Sequence, residues 1–541
     1  MSTNDMEKKN YGKQFFSGVA ILAISTFLVK IIGLIYKIPM MKYLTSEGMG
    51  YFNTAYDIYS LLFVISTTGI PVAISILVSE NKVTDRTDNI KRIYKVSLVV
   101  LGSLGLIGTF FLAFFNKEIA NLIRNDFASY SILAISPTLL LICISSAIRG
   151  YFQGHQIMLP TAVSQVIEAL GKLLLGLGFA VLAFNKGYSV HIVAAYAALG
   201  LTVGEGFSLL YLILHKWFYS SKHNSLSINY EVESSTIILK KLVKIAIPIT
   251  ISATILSLTK IIDMTMILGR LNDIGYTQAQ GNAVYGAYST MAVSIYNLPS
   301  TLISAISLPL VPMLASAIEK RDTVKEKSVM ASSLKLTALI GFPTGLGISV
   351  FSKQILTLLF ADQSNEIEYV APLLSILGIS VFLTSMITIT NAILQAYHLV
   401  NKPIISMIVG TLVKLVLSYI LIGNEATNIY GAPISTFFSV VVIVSINLYY
   451  IIKRCGKLSS IYSLFVKPFI SSAIAVVLGI GIYFILISKL SLSVSILLTI
   501  AFVVLIYFIV VLKIKAIDKE EIAMLPKGET IVSLLSKIKL I

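Results

Sequence analysis

Eight charged residues stand inside stretches that are otherwise apolar: Lys30, Asp57, Glu168, Lys172, Glu205, Lys260, Asp263 and Lys414. A charge at the middle of a hydrocarbon layer costs at least about 2.5–3.5 kcal/mol on insertion scales, so each is expected to face a polar cavity or a partner. Ammonium groups held in a low-dielectric cleft bind phosphate oxygens strongly. The chemistry that four buried lysines offer is therefore recognition of an anion, with diphosphate the natural one; an organic cation would call for the opposite sign. Lys30 is the foremost candidate. It has no acidic neighbour on its own helix and sits too far from either end to snorkel to the interface. Lys260 and Asp263, three apart, share a helix face and can pair; Glu168 and Lys172, four apart, can pair likewise. Lys172 is thus divided between a local pair and a ligand. Lys37 and Arg270 come at helix ends, where snorkelling explains them as well as ligand contact does. Asp57 is expected to meet a cation such as Lys30 or Lys37. Glu205 has no local base and either carries a coupling proton or cation or pairs with a neighbouring helix. Arg149, at the end of an apolar stretch, reads as an anchor at the membrane face.

Catalysis finds no support. The five histidines show no H-E-x-x-H spacing, and there is no Walker loop and no G-x-S-x-G elbow. The acidic trio Asp362, Glu366 and Glu368 falls in a connection. Cys143 and Cys455 form neither a disulfide framework nor a metal-ligand spacing. The expectation is a transporter without a resident cofactor, not an enzyme.

The elements that must position these charges follow from composition. The chain has 541 residues, 56% of them hydrophobic and only 13% charged, about half the charged share of soluble domains; the mean hydropathy is +0.86. Apolar stretches of about 20 residues recur from Phe15 to Leu512, each long enough to cross a core of roughly 30 Å as a helix. Backbone polar groups in lipid must be satisfied within the segment, so the class is all-α and polytopic. The spacing predicts about fourteen transmembrane helices: 15–36, 52–78, 96–115, 128–149, 160–184, 191–215, 243–268, 284–316, 332–351, 369–395, 403–422, 429–452, 464–488 and 491–512. The first lacks a small-residue cleavage site and is expected to be retained. Helices 2 and 8 contain prolines (Pro71; Pro299, Pro309 and Pro312) that predict bends.

Of the 42 Lys and Arg residues, 30 fall with the N-terminus, the even-to-odd connections and the C-terminus, counting Arg149, Lys244, Lys335 and Lys467 at the adjoining span ends, and 8 on the opposite side. That bias places both termini in the cytoplasm and requires an even helix count. The net charge of +16 is distributed over these short connections, which fits membrane topology and not nucleic-acid binding. The tail carries Ile531, Leu534, Leu535 and Ile538 at helical spacing, as a segment lying on the inner membrane surface would.

The chain also repeats itself. Lys30-Ile31-Ile32-Gly33 matches Lys260-Ile261-Ile262-Asp263; Tyr59 and Pro71 match Tyr296 and Pro309. Phe115, Lys117, Ile119 and Leu122 match Phe351, Lys353, Ile355 and Leu358; Gln153 and Lys172 match Gln395 and Lys414. Six helices per repeat is an even number, so the halves share orientation, as in transporters whose pathway lies between two rocking bundles. The expected organisation is a six-helix bundle over 1–218, a second over 240–453, an added helix pair over 463–513 and a cytoplasmic tail over 514–541.

Together these features resemble the multidrug/oligosaccharidyl-lipid/polysaccharide flippase superfamily, and within it the MurJ and stage V sporulation protein B branch. The likeness spans essentially the whole chain. It rests on Lys30–Gly33, on Ser60-Leu61-Leu62 through Gly69, on Pro299-Ser300 through Ala305 to Pro312, on the repeat and on the added pair. The resemblance implies a bacterial plasma-membrane flippase. Its cargo would be an undecaprenyl-diphosphate-linked sugar, typically the peptidoglycan precursor lipid II, moved from the inner to the outer leaflet by alternating access. Basic residues would bind the diphosphate, helices 13 and 14 would hold the lipid tail, and cell-wall synthases would be partners of a monomer. Lys30 carries over best. Relatives place an arginine where Tyr36 stands here, with Lys37 next to it; Lys260, Lys37 or Arg270 would substitute. Coupling is expected through the membrane potential or through H+ or Na+ at Asp57, Asp263 or Glu205. Three competing functions stay open: a flippase for another polysaccharide precursor, in sporulation or elsewhere, a cation-coupled multidrug exporter, and a membrane glycosyltransferase or polymerase.

Overall fold

The computed structural model describes residues 3–84, 86–222, 232–456 and 460–517. The stretch 531–538, expected on the membrane surface, lies outside them. Every regular element among the described residues is a helix, as lipid demands of a chain with this much continuous apolar sequence. Twelve helical runs are long and apolar enough to cross a membrane. Two details bring the count to the expected fourteen. The first run contains two helices, and an interrupted run over 278–319 supplies the eighth crossing.

We label the crossings α1 (3–44), α2 (46–83), α3 (Thr87–Phe114), α4 (Ala128–Gly154), α5 (159–185), α6 (Val190–Lys222), α7 (Ser235–Asp273) and α8 (278–319). They continue as α9 (Thr323–Val350), α10 (Ser364–Ala396), α11 (Asn401–Ile422), α12 (Gly431–Cys455), α13 (462–487) and α14 (Leu492–Lys513). Most run past the apolar windows into polar ends. Their starts are set by side chains: Ser234 accepts from the amide of Ile237, Thr277 and Gln280 form a capping box, and Asp322 accepts from the amide of Lys325. The apolar faces of α3 and the helix pair α13–α14 stay exposed, with Ile107, Phe110, Phe114, Val477, Phe484 and Leu505 outward, as lipid-facing surfaces must.

One expectation is corrected. The sequence leaves residues 37–51 as a connection, but helix continues through them. A single residue, Thr45, turns the chain at φ 60°, ψ 177°, a backbone normally left to glycine and costing of order 1–3 kcal/mol. The proline bends fall within the turn that precedes the ring, where the missing amide and the clash with the preceding turn interrupt the helix. α2 breaks at Thr68, ahead of Pro71, and α8 at Asn297, ahead of Pro299; the helix Leu298–Glu319 then runs unbroken past Pro309 and Pro312.

The repeat is visible in local structure. After α3, Phe115 (φ −97°, ψ 18°) opens a short helix Asn116–Leu122. After α9, Phe351 (φ −99°, ψ 23°) opens its counterpart Ser352–Leu359. The matched residues therefore build the same helix-turn-helix corner twice.

The chain forms two compact units. One comprises Met1–Thr290 with Ser418–Ile429, the other Met291–Leu417 with Tyr430–Ile541. In the first unit, α2 and the start of α8 touch backbone to backbone. A Cβ on Gly286 would lie 2.0 Å from the carbonyl oxygen of Ser46, and one on Gly50 would lie 2.3 Å from that of Asn282. Small residues let helices approach this closely. The approach places buried amides in register: Asn125 donates to Thr54 and to Asn282, and Asn53 donates to Thr290. Gly286→Ala is therefore expected to force the pair apart and cost about 1–3 kcal/mol, measured as a lower thermal midpoint of the detergent-purified protein. An unchanged midpoint would mean that the contact is dispensable. The second unit has its own buried amide, Asn447 on α12, which donates to Thr390 and Asn391 of α10 and accepts from Ser406 of α11.

Candidate functional site

The first unit collects most of the charges that the sequence marks. Lys30 and Lys37 on α1, Lys172 on α5 and Lys260 on α7 come close enough for their charges to act on one another: Lys30 with Lys260, Lys37 with both, and Lys172 with Lys30 and Lys37. Lys30 and Lys260 are exposed; Lys37 and Lys172 are half-buried. Three helices thus bring four ammonium groups into one field, with Asp57 the carboxylate that acts on Lys37 and Lys260. Like charges gathered this way repel unless an anion joins them, so the arrangement suits a polyanionic ligand.

The partners within this field differ from those expected by helical spacing. Lys260 of α7 acts on Asp57 of α2. Asp57 was expected against Lys30 or Lys37. It lies in the field of Lys37 and also accepts a hydrogen bond from the Tyr285 hydroxyl of α8. Glu168 and Lys172 form no ion pair among the described residues, and Glu168 reaches Lys172 only through its charge. Glu168 pairs with Arg149 at 3.2 Å, and the Lys172 ammonium sits over aromatic rings. It lies 4.0 Å from the centroid of Tyr56, 5.2 Å from that of Tyr36 and 5.8 Å from that of Phe52, within the range of cation–π attraction, worth about 0.5–2 kcal/mol. The physical reason is competition. Arg149 is only 6% exposed and needs a carboxylate more than Lys172 does, because ring faces already stabilise the lysine.

Arg149 is the second correction. It is no surface anchor: its guanidinium donates to Ser164, Ser208 and Glu168, tying α4 to α5 and α6. Glu205 on α6 is 1% exposed and accepts from Ser145 of α4 at 2.5 Å. These helices meet closely because α5 and α6 touch through glycines: a Cβ on Gly171 would lie 2.5 Å from the Cα of Gly204. α5 then widens into a π-helical turn over Lys172–Gly176, the kind of local bulge that helices carry at functional positions.

Arg270, near the end of α7, donates to Asp273 and to the Tyr419 carbonyl and stacks on the Tyr419 ring at 4.1 Å; Arg124 also binds Asp273. Lys414 belongs to the second unit and is buried. Asp263, half-buried on α7, lies in the electrostatic range of Tyr285. Tyr36 is fully buried, its ring part of the Lys172 cage.

Sequence reasoning missed Phe52, Tyr56 and Tyr285, and misread Arg149. A signal for the first two was present. Phe52, Tyr56, Tyr59 and Phe63 recur at helical spacing on α2, and their rings lie 5.8–6.0 Å apart in succession.

The comparisons with known proteins agree with this architecture. Residues 15–318 match the family model described as polysaccharide biosynthesis protein, and residues 248–420 match the MatE model. Stage V sporulation protein B of Bacillus subtilis (strain 168) is 28% identical over 443 residues, which is 79% of this chain and 82% of that protein. Lipid II flippase MurJ of the same organism is 26% identical over 423 residues, covering 75% of this chain and 77% of that one. Among solved structures, lipid II flippase MurJ in an inward closed conformation superposes with a TM-score of 0.68 at 15% identity, covering 91% of this chain and 98% of that chain.

Proposed function

We propose that this chain, which belongs to the polysaccharide biosynthesis protein family and to the flippase branch of the multidrug/oligosaccharidyl-lipid/polysaccharide superfamily, carries an undecaprenyl-diphosphate-linked sugar from the inner to the outer leaflet, with lipid II the first cargo to test. The observation that carries this reading is the field of Lys30, Lys37, Lys172 and Lys260, which suits a diphosphate and opposes a cation. Both termini lie in the cytoplasm, as the distribution of basic residues supports. The halves 1–218 and 240–453 rock about the headgroup while the tail stays in lipid along 463–513. A potential negative inside favours outward movement of an anion by about 2.3 kcal/mol per charge per 100 mV.

A second reading keeps the mechanism and changes the sugar. It is favoured by the similarity to stage V sporulation protein B, which is as extensive as that to the lipid II flippase. Depleting the native lipid II flippase of a bacterium and expressing this chain separates the two. Restored lipid II at the outer surface supports the first reading. A membrane-inserted protein that restores none turns the search to other undecaprenyl-linked glycans, and drug export follows only if those fail.

A further inference from the structure

The Arg149 cluster is not used by the lysine field, and its hydrogen bonds do not close. Arg149 satisfies Glu168 and two serines. Glu205 receives one neutral hydroxyl, from Ser145, at Oε1; its Oε2 is buried with no hydrogen-bond partner. An ionised carboxylate left so in a protein interior is strongly unfavourable. The groups facing it do not supply a second cation. α2 contributes Tyr59, α4 contributes Arg149, and α5 contributes Glu168, whose carboxyl group stands within hydrogen-bonding range of Glu205. Lys172 of α5 reaches Glu168 only through its charge, since its ammonium is held over the Tyr56 ring. Two carboxylates facing each other repel, and with a proton between them they form a hydrogen bond.

We propose that Arg149, Glu168 and Glu205 form a proton-binding site inside the first unit, with the proton carried on Glu205 Oε2 and donated to Glu168. Protonation forms the O–H bond at Oε2; release returns the proton to water and leaves the pair sharing the single guanidinium. A metal cation does not suit the site, because it would stand beside Arg149. The site is linked to the lysine field through Glu168, whose charge acts on Lys172. An anion on the lysines and a proton on the carboxyl pair therefore favour each other. This linkage rests on the anion reading above; the proton site itself does not.

The test is infrared spectroscopy of the full-length protein in lipid nanodiscs. The parent is expected to show a protonated-carboxyl C=O band near neutral pH that Glu205→Gln removes and Asp57→Asn leaves in place, with no change on exchanging Na+ for K+. A parent without such a band, or a band that survives Glu205→Gln, overturns the site. At a pH where the band is at half intensity, inorganic diphosphate is expected to strengthen it. Diphosphate that binds by calorimetry and leaves the band unchanged overturns the linkage. Diphosphate that does not bind at all counts against the anion reading, while the band still decides the proton site.

Discussion

Lys30→Ala is expected to abolish restoration of lipid II at the cell surface while leaving the protein folded and in the membrane. The charge that acts on Lys30 is that of another lysine, Lys260. Removing the Lys30 ammonium takes away repulsion, so the thermal midpoint should hold or rise slightly. Its loss to the ligand is of a different size. A charge-assisted hydrogen bond contributes about 1.5–3 kcal/mol, or roughly ten- to a hundredfold in affinity. The headgroup would meet the remaining lysines with a quarter of the field gone. Lys30→Arg keeps the charge and should retain most of the transport. If Lys30→Ala transported as the parent does, at equal expression, the anion site would have to lie elsewhere.

The second large effect is on stability. Arg149→Met removes the guanidinium on which Glu168 depends and frees the hydroxyls of Ser164 and Ser208 in a buried position. Breaking a buried ion pair from one side costs about 3–5 kcal/mol, because the remaining charge keeps its desolvation penalty without a partner. The expected result is a large fall in the thermal midpoint and in the yield of detergent-purified protein. Arg149→Met combined with Glu168→Gln should recover part of the loss, since the orphaned charge goes too. Non-additivity of that kind is the mark of a direct pair. A double variant no more stable than Arg149→Met alone would mean that the arginine acts through packing.

These two residues show where the sequence was legible. Lys30 stood out because one ammonium group without an acidic neighbour in an apolar helix is a local fact. Arg149 did not, because a basic residue at the end of an apolar window looks the same whether it meets headgroups or a buried carboxylate. The difference lies in α5 and α6. Their approach at Gly171 and Gly204 accompanies a packing in which Glu168, 19 positions away in sequence, comes within reach of Arg149. Helical spacing gave Lys172 the reach to pair with Glu168 but said nothing of Tyr56, Tyr36 and Phe52, which arrive from α1 and α2 and hold the ammonium by their faces.

By itself the sequence determined that the chain crosses a membrane about fourteen times, that it repeats, that Pro71 and Pro299 interrupt α2 and α8, and which charges lie among apolar residues. All of these follow from short-range properties: hydropathy over a helix length, the missing amide of proline, and the cost of charge in hydrocarbon. Only the tertiary structure decided the partners. It gave Glu168 to Arg149, Asp57 a bond from Tyr285 228 residues away, and Glu205 a serine with one oxygen left over. The rotation of each helix about its axis and the closeness of glycine-mediated contacts decide which side chains meet. Neither is written in the periodicity of a single helix.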